Sequence, residues 1–115
     1  EMSEICYIFA DIEQLQLMCT RQQCIDRLIE AAPFIRREFG VKTLCLFGSM
    51  ARGDNTGDSD VDICVDMPST LGLVVGLRLF LESLFGMSVD LIRRHSNLRP
   101  VFLSRIERDA VYVIR

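Results

Sequence analysis

The chain has 115 residues, of which 50% are hydrophobic, and a formal net charge of −3 at pH 7. This length predicts one domain, and the acidic balance disfavours an extended nucleic-acid interface, which needs a basic face. We expect neither a membrane span nor a signal peptide, because the sequence has no uninterrupted apolar run of about 18 residues and no basic segment leading into an apolar one near residue 1.

Helices are predicted before the first strand. Residues 1–20 carry apolar side chains at helical spacing, namely Ile5, Ile8, Phe9, Ile12, Leu15 and Cys19. This spacing predicts an amphipathic helical extension, which either packs on the core or forms a face for a partner or a second copy. Residues 21–32 predict another helix with Thr20 as its N-cap. Pro33 is expected to kink or split it before a further helical turn over residues 34–39, which Gly40 ends.

The central stretch consists of two predicted strands separated by a glycine turn and a polar loop. Residues 42–47 are apolar and β-prone, which predicts a buried strand. Gly48 and Ser49 form the turn, and a second strand follows the loop at about residues 60–65. Since side chains alternate across a strand, Asp60 and Asp62 are expected to share one face, about 7 Å apart.

This pattern of acids and glycine suits metal-assisted phosphate chemistry. Two carboxylates this close raise each other's pKa unless a cation lies between them. Mg²⁺ prefers oxygen ligands, and two such ions about 3.5–4 Å apart form the clamp for an in-line nucleotidyl displacement. Gly48 would let the backbone approach a phosphate, to which the N–H and hydroxyl of Ser49 could donate. Arg52 is expected both to contact phosphate and to brace the turn.

The second half predicts helix, strand, helix and strand. A helix over residues 71–85 is capped by Ser69 or Thr70, and Gly86 ends it. A third strand over residues 88–92 carries Asp90, which we interpret as a buried carboxylate that needs a partner. The alternative is an ion pair with Arg93 or Arg94. A helix over residues 98–108, with Pro100 in its first turn, leads to a last strand over residues 111–114.

The cysteines indicate the redox compartment. The chain has five, which are Cys6, Cys19, Cys24, Cys45 and Cys64. Their number is odd and none shows C-x-x-C spacing, so we expect reduced thiols that pack as small hydrophobic side chains. Reduced thiols imply a reducing cytosol, and therefore a cytoplasmic protein.

The motifs resemble a known family. The sequence Gly48-Ser49, then ten residues, then Asp60-x-Asp62 resembles the signature of the polymerase-β nucleotidyltransferase superfamily. The flanking segments 51–53 and 59–62 are similar to its minimal, MNT-type branch, and the resemblance extends over about residues 34–113. It implies a polymerase-β-like α/β (α+β) fold, with a small mixed sheet flanked by helices. We expect a single nucleotidyltransferase domain over residues 1–115.

The resemblance also implies the residues of the site. It assigns catalysis and metal binding to Asp60, Asp62 and Asp90, with Asp90 taking the proton of the acceptor. It assigns nucleotide binding to Gly48, Ser49 and Arg52. The cofactor implied is Mg²⁺, with two ions, and the substrate is ATP.

The minimal branch resembles the antitoxin half of HEPN–MNT toxin–antitoxin pairs. This implies AMP transfer onto a tyrosine of a cognate HEPN toxin, a ribonuclease that is silenced as a result. The chain would then act beside its partner as part of a homo- or hetero-oligomer. Two alternatives stay open at this point. One is AMP transfer to a small molecule such as an aminoglycoside, and the other is a catalytically idle module that neutralises a partner by contact.

Overall fold

The computed structural model describes residues 20–54 and 60–115. The helix predicted over residues 1–20 therefore lies outside the described residues, apart from Thr20. Four helices alternate with four strands in the described chain. The helices are α1 (Arg21–Phe39), α2 (Gly48–Arg52), α3 (Leu71–Phe85) and α4 (Pro100–Asp109), and the strands are β1 (Thr43–Phe47), β2 (Val61–Asp66), β3 (Val89–Arg93) and β4 (Val111–Ile114).

The strands form one mixed sheet with the order β3-β2-β1-β4. β1 pairs antiparallel with both β2 and β4, whereas β2 pairs parallel with β3. The chain reaches β3 from β2 through α3, as a parallel connection requires. The prediction of a small mixed sheet flanked by helices is confirmed.

The larger core lies between one face of the sheet and the two long helices. Alternate strand residues such as Leu44, Leu46 and Ile63 are fully buried there. They pack with buried side chains of α1 and α3, which include Cys24, Leu28, Ile35, Leu77, Leu81 and Phe85. The opposite face carries a smaller core under α4, built from Cys45, Phe47, Cys64 and Ile106.

Helix α1 begins and ends where the sequence predicts. Thr20 accepts from the backbone N–H of Gln23 at 3.2 Å, and the Gln23 side chain accepts from the Thr20 N–H at 2.9 Å, which completes a capping box. Gly40 ends the helix in the left-handed conformation, with φ 66°. Pro33 was expected to kink or split this helix, and the split is wrong. α1 continues through Pro33 to Phe39, and the burial of Ile35 holds the last turns on the core.

Other predictions need smaller corrections. β3 and α4 begin one and two residues later than predicted, at Val89 and Pro100. Thr70 occupies the N-cap position of α3 without a side-chain cap bond. Cys45 and Cys64 are buried free thiols, as predicted. In the part of the chain that the structure describes, no helix is long and apolar enough to cross a membrane.

Candidate active site

Two features of the turn between β1 and α2 favour glycine. Gly48 has φ 75°, in the left-handed region that disfavours other residues. A Cβ added at this position would also collide with the Oδ2 atom of Asp62. The Asp62 carboxylate therefore lies directly beside the backbone of the turn.

Two of the three predicted acids face each other across neighbouring strands. Asp62 on β2 and Asp90 on β3 are register partners in the parallel pair, so their side chains share one face. Asp60 is exposed and immediately precedes β2, rather than lying within it. The structure thus gathers the predicted acids at the end of β2 that lies beside Gly48.

Asp90 differs from its prediction in one respect. It is exposed, not buried, because β3 is an edge strand and the α4 core lies further along this face, on residues such as Cys64 and Ile92. The alternative in which Arg94 pairs with Asp90 is not what the structure shows, since Arg94 bonds to Glu107 at 2.6 Å. Asp90 is accessible to a substrate.

The neighbouring acids change the pKa of Asp62, which is partly buried. Burial, together with the negative charges of Asp90 and Asp60, raises the pKa of Asp62 to about 6, while Arg52 acts in the opposite direction. A carboxylate of this kind is stabilised by an added cation.

The donor set fits Mg²⁺ in the way that enzymes of phosphate chemistry use it. Among residues 20–54 and 60–115, no group of three His, Cys, Asp or Glu side chains forms a complete metal site. Mg²⁺, however, is usually held by one or two carboxylates plus substrate phosphates. Asp62 and Asp90 could supply those carboxylates, and Gly48 leaves the space that a side chain would fill.

Arg52 braces the turn. Its Nη1 atom donates to Oδ2 of Asp109 at 2.9 Å, and its Nε atom donates to Oδ2 of Asp54 at 3.1 Å. These bonds tie α2 to the end of α4. Arg21 adds a second tie that the sequence did not indicate, since its Nε donates to the Ala51 carbonyl at 2.8 Å. The bracing half of the Arg52 prediction is confirmed, and its contact with phosphate stays a prediction.

A polar cluster beneath α4 was also missed. The Arg94 Nη2 atom donates to Glu107 Oε1 at 2.6 Å and to the Tyr112 hydroxyl at 3.1 Å, and that hydroxyl donates to Glu107 at 3.0 Å. Cys64 lies against this cluster. Its pKa is lowered, first by the hydrogen bond with Cys45 and also by Arg94, against the effect of burial.

Comparison with known proteins places the site in a family. The family described as "Nucleotidyltransferase domain" matches residues 28–113, three quarters of the chain. The chain belongs to this nucleotidyltransferase family. The protein adenylyltransferase MntA of Thermococcus cleftensis is 42% identical to this nucleotidyltransferase over 82 residues, which cover 69% of this chain and 81% of the relative. The predicted family and the predicted enzyme class are confirmed.

Two solved structures have a fold similar to that of this chain. A provisionally named minimal nucleotidyltransferase has a TM-score of 0.67 and 31% identity, and the match covers 80% of this chain and 94% of that one. A second structure holds a tri-AMPylated HEPN toxin of Shewanella oneidensis in complex with an MNT antitoxin. It matches with a TM-score of 0.57 over 82% of this chain and 71% of that one, at 21% identity, which shows likeness of fold.

Proposed function

We propose that this nucleotidyltransferase moves AMP from ATP onto a tyrosine hydroxyl of a cognate HEPN toxin and silences it, as an antitoxin. The observation that carries the proposal is the Asp62–Asp90 pair, set across parallel strands and beside a turn that favours glycine. Carboxylates beside a backbone that can approach phosphate are what nucleotidyl transfer needs.

Each residue has a role in this reaction. The backbone of Gly48 and the N–H and hydroxyl of Ser49 contact the phosphates of ATP. Asp60, Asp62 and Asp90 would hold Mg²⁺, which supplies neutralising charge for the triphosphate when bound. Asp90 also takes the proton of the acceptor hydroxyl, since it is exposed and lies beside Asp62 on the same face of the sheet. Arg52 steadies the turn and adds positive charge on the nucleotide side.

The transfer needs no reactant other than ATP and the acceptor hydroxyl. The acceptor oxygen forms a bond to the α-phosphorus of ATP while the bond from that phosphorus to the leaving oxygen breaks. Pyrophosphate departs with that bonding pair, and the hydroxyl proton passes to Asp90 and then to solvent. Most of the acceleration would come from positioning and electrostatics.

Two findings support a protein as the acceptor. MntA of Thermococcus cleftensis is named as a protein adenylyltransferase and shares 42% of the aligned residues. The Shewanella oneidensis complex pairs an MNT antitoxin of similar fold with an AMPylated HEPN toxin. Asp60 and Asp90 are exposed in this chain, so a protein segment has access to the site.

The test uses the double variant Asp60→Asn with Asp62→Asn. Wild-type protein, Mg²⁺, labelled ATP and the helical protein encoded beside it should yield labelled partner and pyrophosphate. The double variant should bind the partner and transfer no AMP, because neutral amides are poor Mg²⁺ ligands. Asp66→Asn is the matched control, since Asp66 lies on β2 at the end distant from Gly48.

The outcome in cells separates chemistry from contact. If the double variant neutralises the partner as well as wild type does, contact is sufficient and the enzymatic proposal fails. If labelled AMP appears on an aminoglycoside and not on the protein, the acceptor class is wrong.

A further inference from the structure

A groove lies on the side of the molecule away from the acids. Its volume is about 590 Å³, and it runs between the second half of α1 and strand β4. The walls are Ile29, Ala32, Pro33, Arg36 and Arg37 on one side, and Val113, Ile114 and Arg115 on the other. α1 packs on the face of the sheet opposite to Asp62 and Asp90, so the groove is separate from the active site.

The groove is positively charged in a chain that is acidic as a whole. Arg36, Arg37 and Arg115 line it, while the formal net charge of the chain is −3. Arg37 also contacts Glu38 at 3.3 Å, but both side chains are largely exposed. Exposed ion pairs of this kind contribute little, so Arg37 can exchange Glu38 for another carboxylate. Arg37 also lies over the Phe34 ring, and Arg115 lies over the Tyr112 ring with its Cζ atom 5.0 Å from the ring centroid. Both arginines are exposed, and cation–π contacts at exposed sites are weak. The guanidinium groups can therefore turn to a ligand with several acids.

The groove also has the shape and backbone chemistry for an extended chain. β4 is an outer strand of the sheet that residues 20–54 and 60–115 form, and within those residues no strand pairs with its outer edge. Such an edge presents N–H and C=O groups to an incoming strand. Pro33 has no N–H and cannot donate to the Ile29 carbonyl as another residue would in a helix. Ile29 is 55% exposed beside these groups, which gives an apolar side chain a place to pack.

We propose that this groove docks an extended acidic segment of the protein that the active site modifies. Carboxylates of the segment would bind the three arginines, and its backbone would lie along the free edge of β4, as in strand addition. The identity of the partner rests on the proposed function, whereas the binding itself does not. Docking and catalysis would then use opposite faces of one sheet. The docked segment would hold the partner while a tyrosine of the partner reaches Asp90.

The first measurement is binding by the whole chain. The probe is a short fluorescein-labelled peptide in which glutamate and valine alternate, with a lysine–valine peptide for comparison. Anisotropy should show binding of the acidic peptide only, and affinity should fall as salt is added. The triple variant Arg36→Glu, Arg37→Glu, Arg115→Glu should bind it about tenfold more weakly or worse, since three charge-assisted contacts are reversed.

The matched control is Arg78→Glu. Arg78 is exposed on α3, outside the groove, and should leave peptide binding unchanged. Far-UV circular dichroism checks that each variant folds, and the single variant Arg36→Glu gives the same direction with less disturbance if the triple variant does not fold.

Hydrogen exchange then locates the peptide. Amides of residues 111–115 should be protected by the acidic peptide, while those of β3, the other edge strand, should not. Equal binding of both peptides, undiminished binding by the charge-reversed variants, protection at β3 instead of β4, or displacement by equimolar inorganic phosphate would each overturn the proposal.

The catalytic variant separates this inference from the proposed function. The Asp60→Asn, Asp62→Asn protein should bind the acidic peptide as wild type does. If wild type binds the peptide at β4 and transfers no AMP to any partner, the proposed function fails and the docking groove stands. If AMP transfer to the partner occurs and the groove variants slow it no more than Arg78→Glu does, the docking proposal fails alone.

Discussion

The two faces of the sheet are made by alternate residues of the same strands, yet they serve different purposes. On β2, Val61, Ile63 and Val65 are fully buried against α1 and α3. Their neighbour Asp62 points to the other face, where α4 covers the sheet only in part. One face can therefore supply the stability that the other, with its clustered acids, does not. Because side chains alternate between the two faces of a strand, the stabilising apolar residues and the acids lie on different faces.

The largest effect is expected at Gly48, which makes the turn between β1 and α2 and also lies beside Asp62 of the candidate active site. Gly48→Ala should abolish AMP transfer and strongly destabilise the fold, because it adds a Cβ both at φ 75° and against Asp62. Gly53→Ala is the matched control. It has φ 83°, but its nearest neighbour, Arg21 Cδ, is 3.9 Å away, so only the backbone strain of about 1–2 kcal/mol applies. Urea unfolding and AMP transfer should rank Gly48→Ala well below Gly53→Ala. Equal losses would show that contact with Asp62 is unimportant.

The next effect tests the apolar face. Leu46→Ala removes a fully buried side chain from β1 and should lower the free energy of unfolding by about 2–5 kcal/mol. AMP transfer by the folded fraction should change little, since Leu46 points away from the acids. Leu79→Ala, at a site that is 56% exposed, should cost far less. A large loss of activity at full folding in Leu46→Ala would contradict the division between the faces.

The sequence predicted the apolar face of β2 well because it follows from a local pattern. Alternation in β2 fixes which side chains share a face, and the spacing of Gly48 and Asp62 carries the family resemblance. The exposure of Asp90 was not predictable in this way. It depends on β3 being at an edge, and strand order is decided by long-range pairing that no local window contains.

Contacts between distant elements were missed for the same reason. The pairing of Arg52 with Asp109 joins residues 57 positions apart, and Arg94 reaches Tyr112 across 18 positions. Neither spacing is periodic in a helix or a strand. Pro33 shows the converse, since a local rule predicted a break that packing overrides: Leu28 and Ile35 are both buried and hold the two halves of α1 on one core.

A smaller effect should appear in the stability of the metal-free protein as the pH changes. The pKa of Asp62 in the folded state is about 6, above its ordinary value of 3.8, so the folded state binds this proton more tightly than the unfolded state. Stability contributed by the protonated form is present below about pH 4 and is lost as the pH rises through 6. Asp62→Asn imitates the protonated form and should therefore be more stable than wild type at pH 7.5.

This gain should disappear at pH 4, where wild type is itself protonated. Urea unfolding in the presence of a chelator measures the free energy of unfolding at both pH values. Asp66→Asn, at the end of β2 distant from Gly48, is the control. A variant less stable than wild type at pH 7.5 would mean that the Asp62 carboxylate is stabilised in the free protein, contrary to the electrostatics of the site.

The smallest effect concerns the polar cluster of Arg94, Glu107 and Tyr112, which supports α4 on the face of the sheet that carries the acids. Tyr112→Phe removes one hydroxyl and keeps the ring that packs on the smaller core. The lost bonds, to Glu107 at 3.0 Å and from Arg94 at 3.1 Å, should cost about 0.5–1.5 kcal/mol at most, since net hydrogen-bond contributions are of that size. Glu107→Gln in a double-mutant cycle isolates the coupling between the two side chains.

If the cluster steadies α4, and through Asp109 also Arg52, Tyr112→Phe should raise the KM for ATP with little change in kcat. A change in kcat alone would place the cluster in the chemical step, and no coupling with Glu107 would mean that the hydroxyl is already satisfied by water.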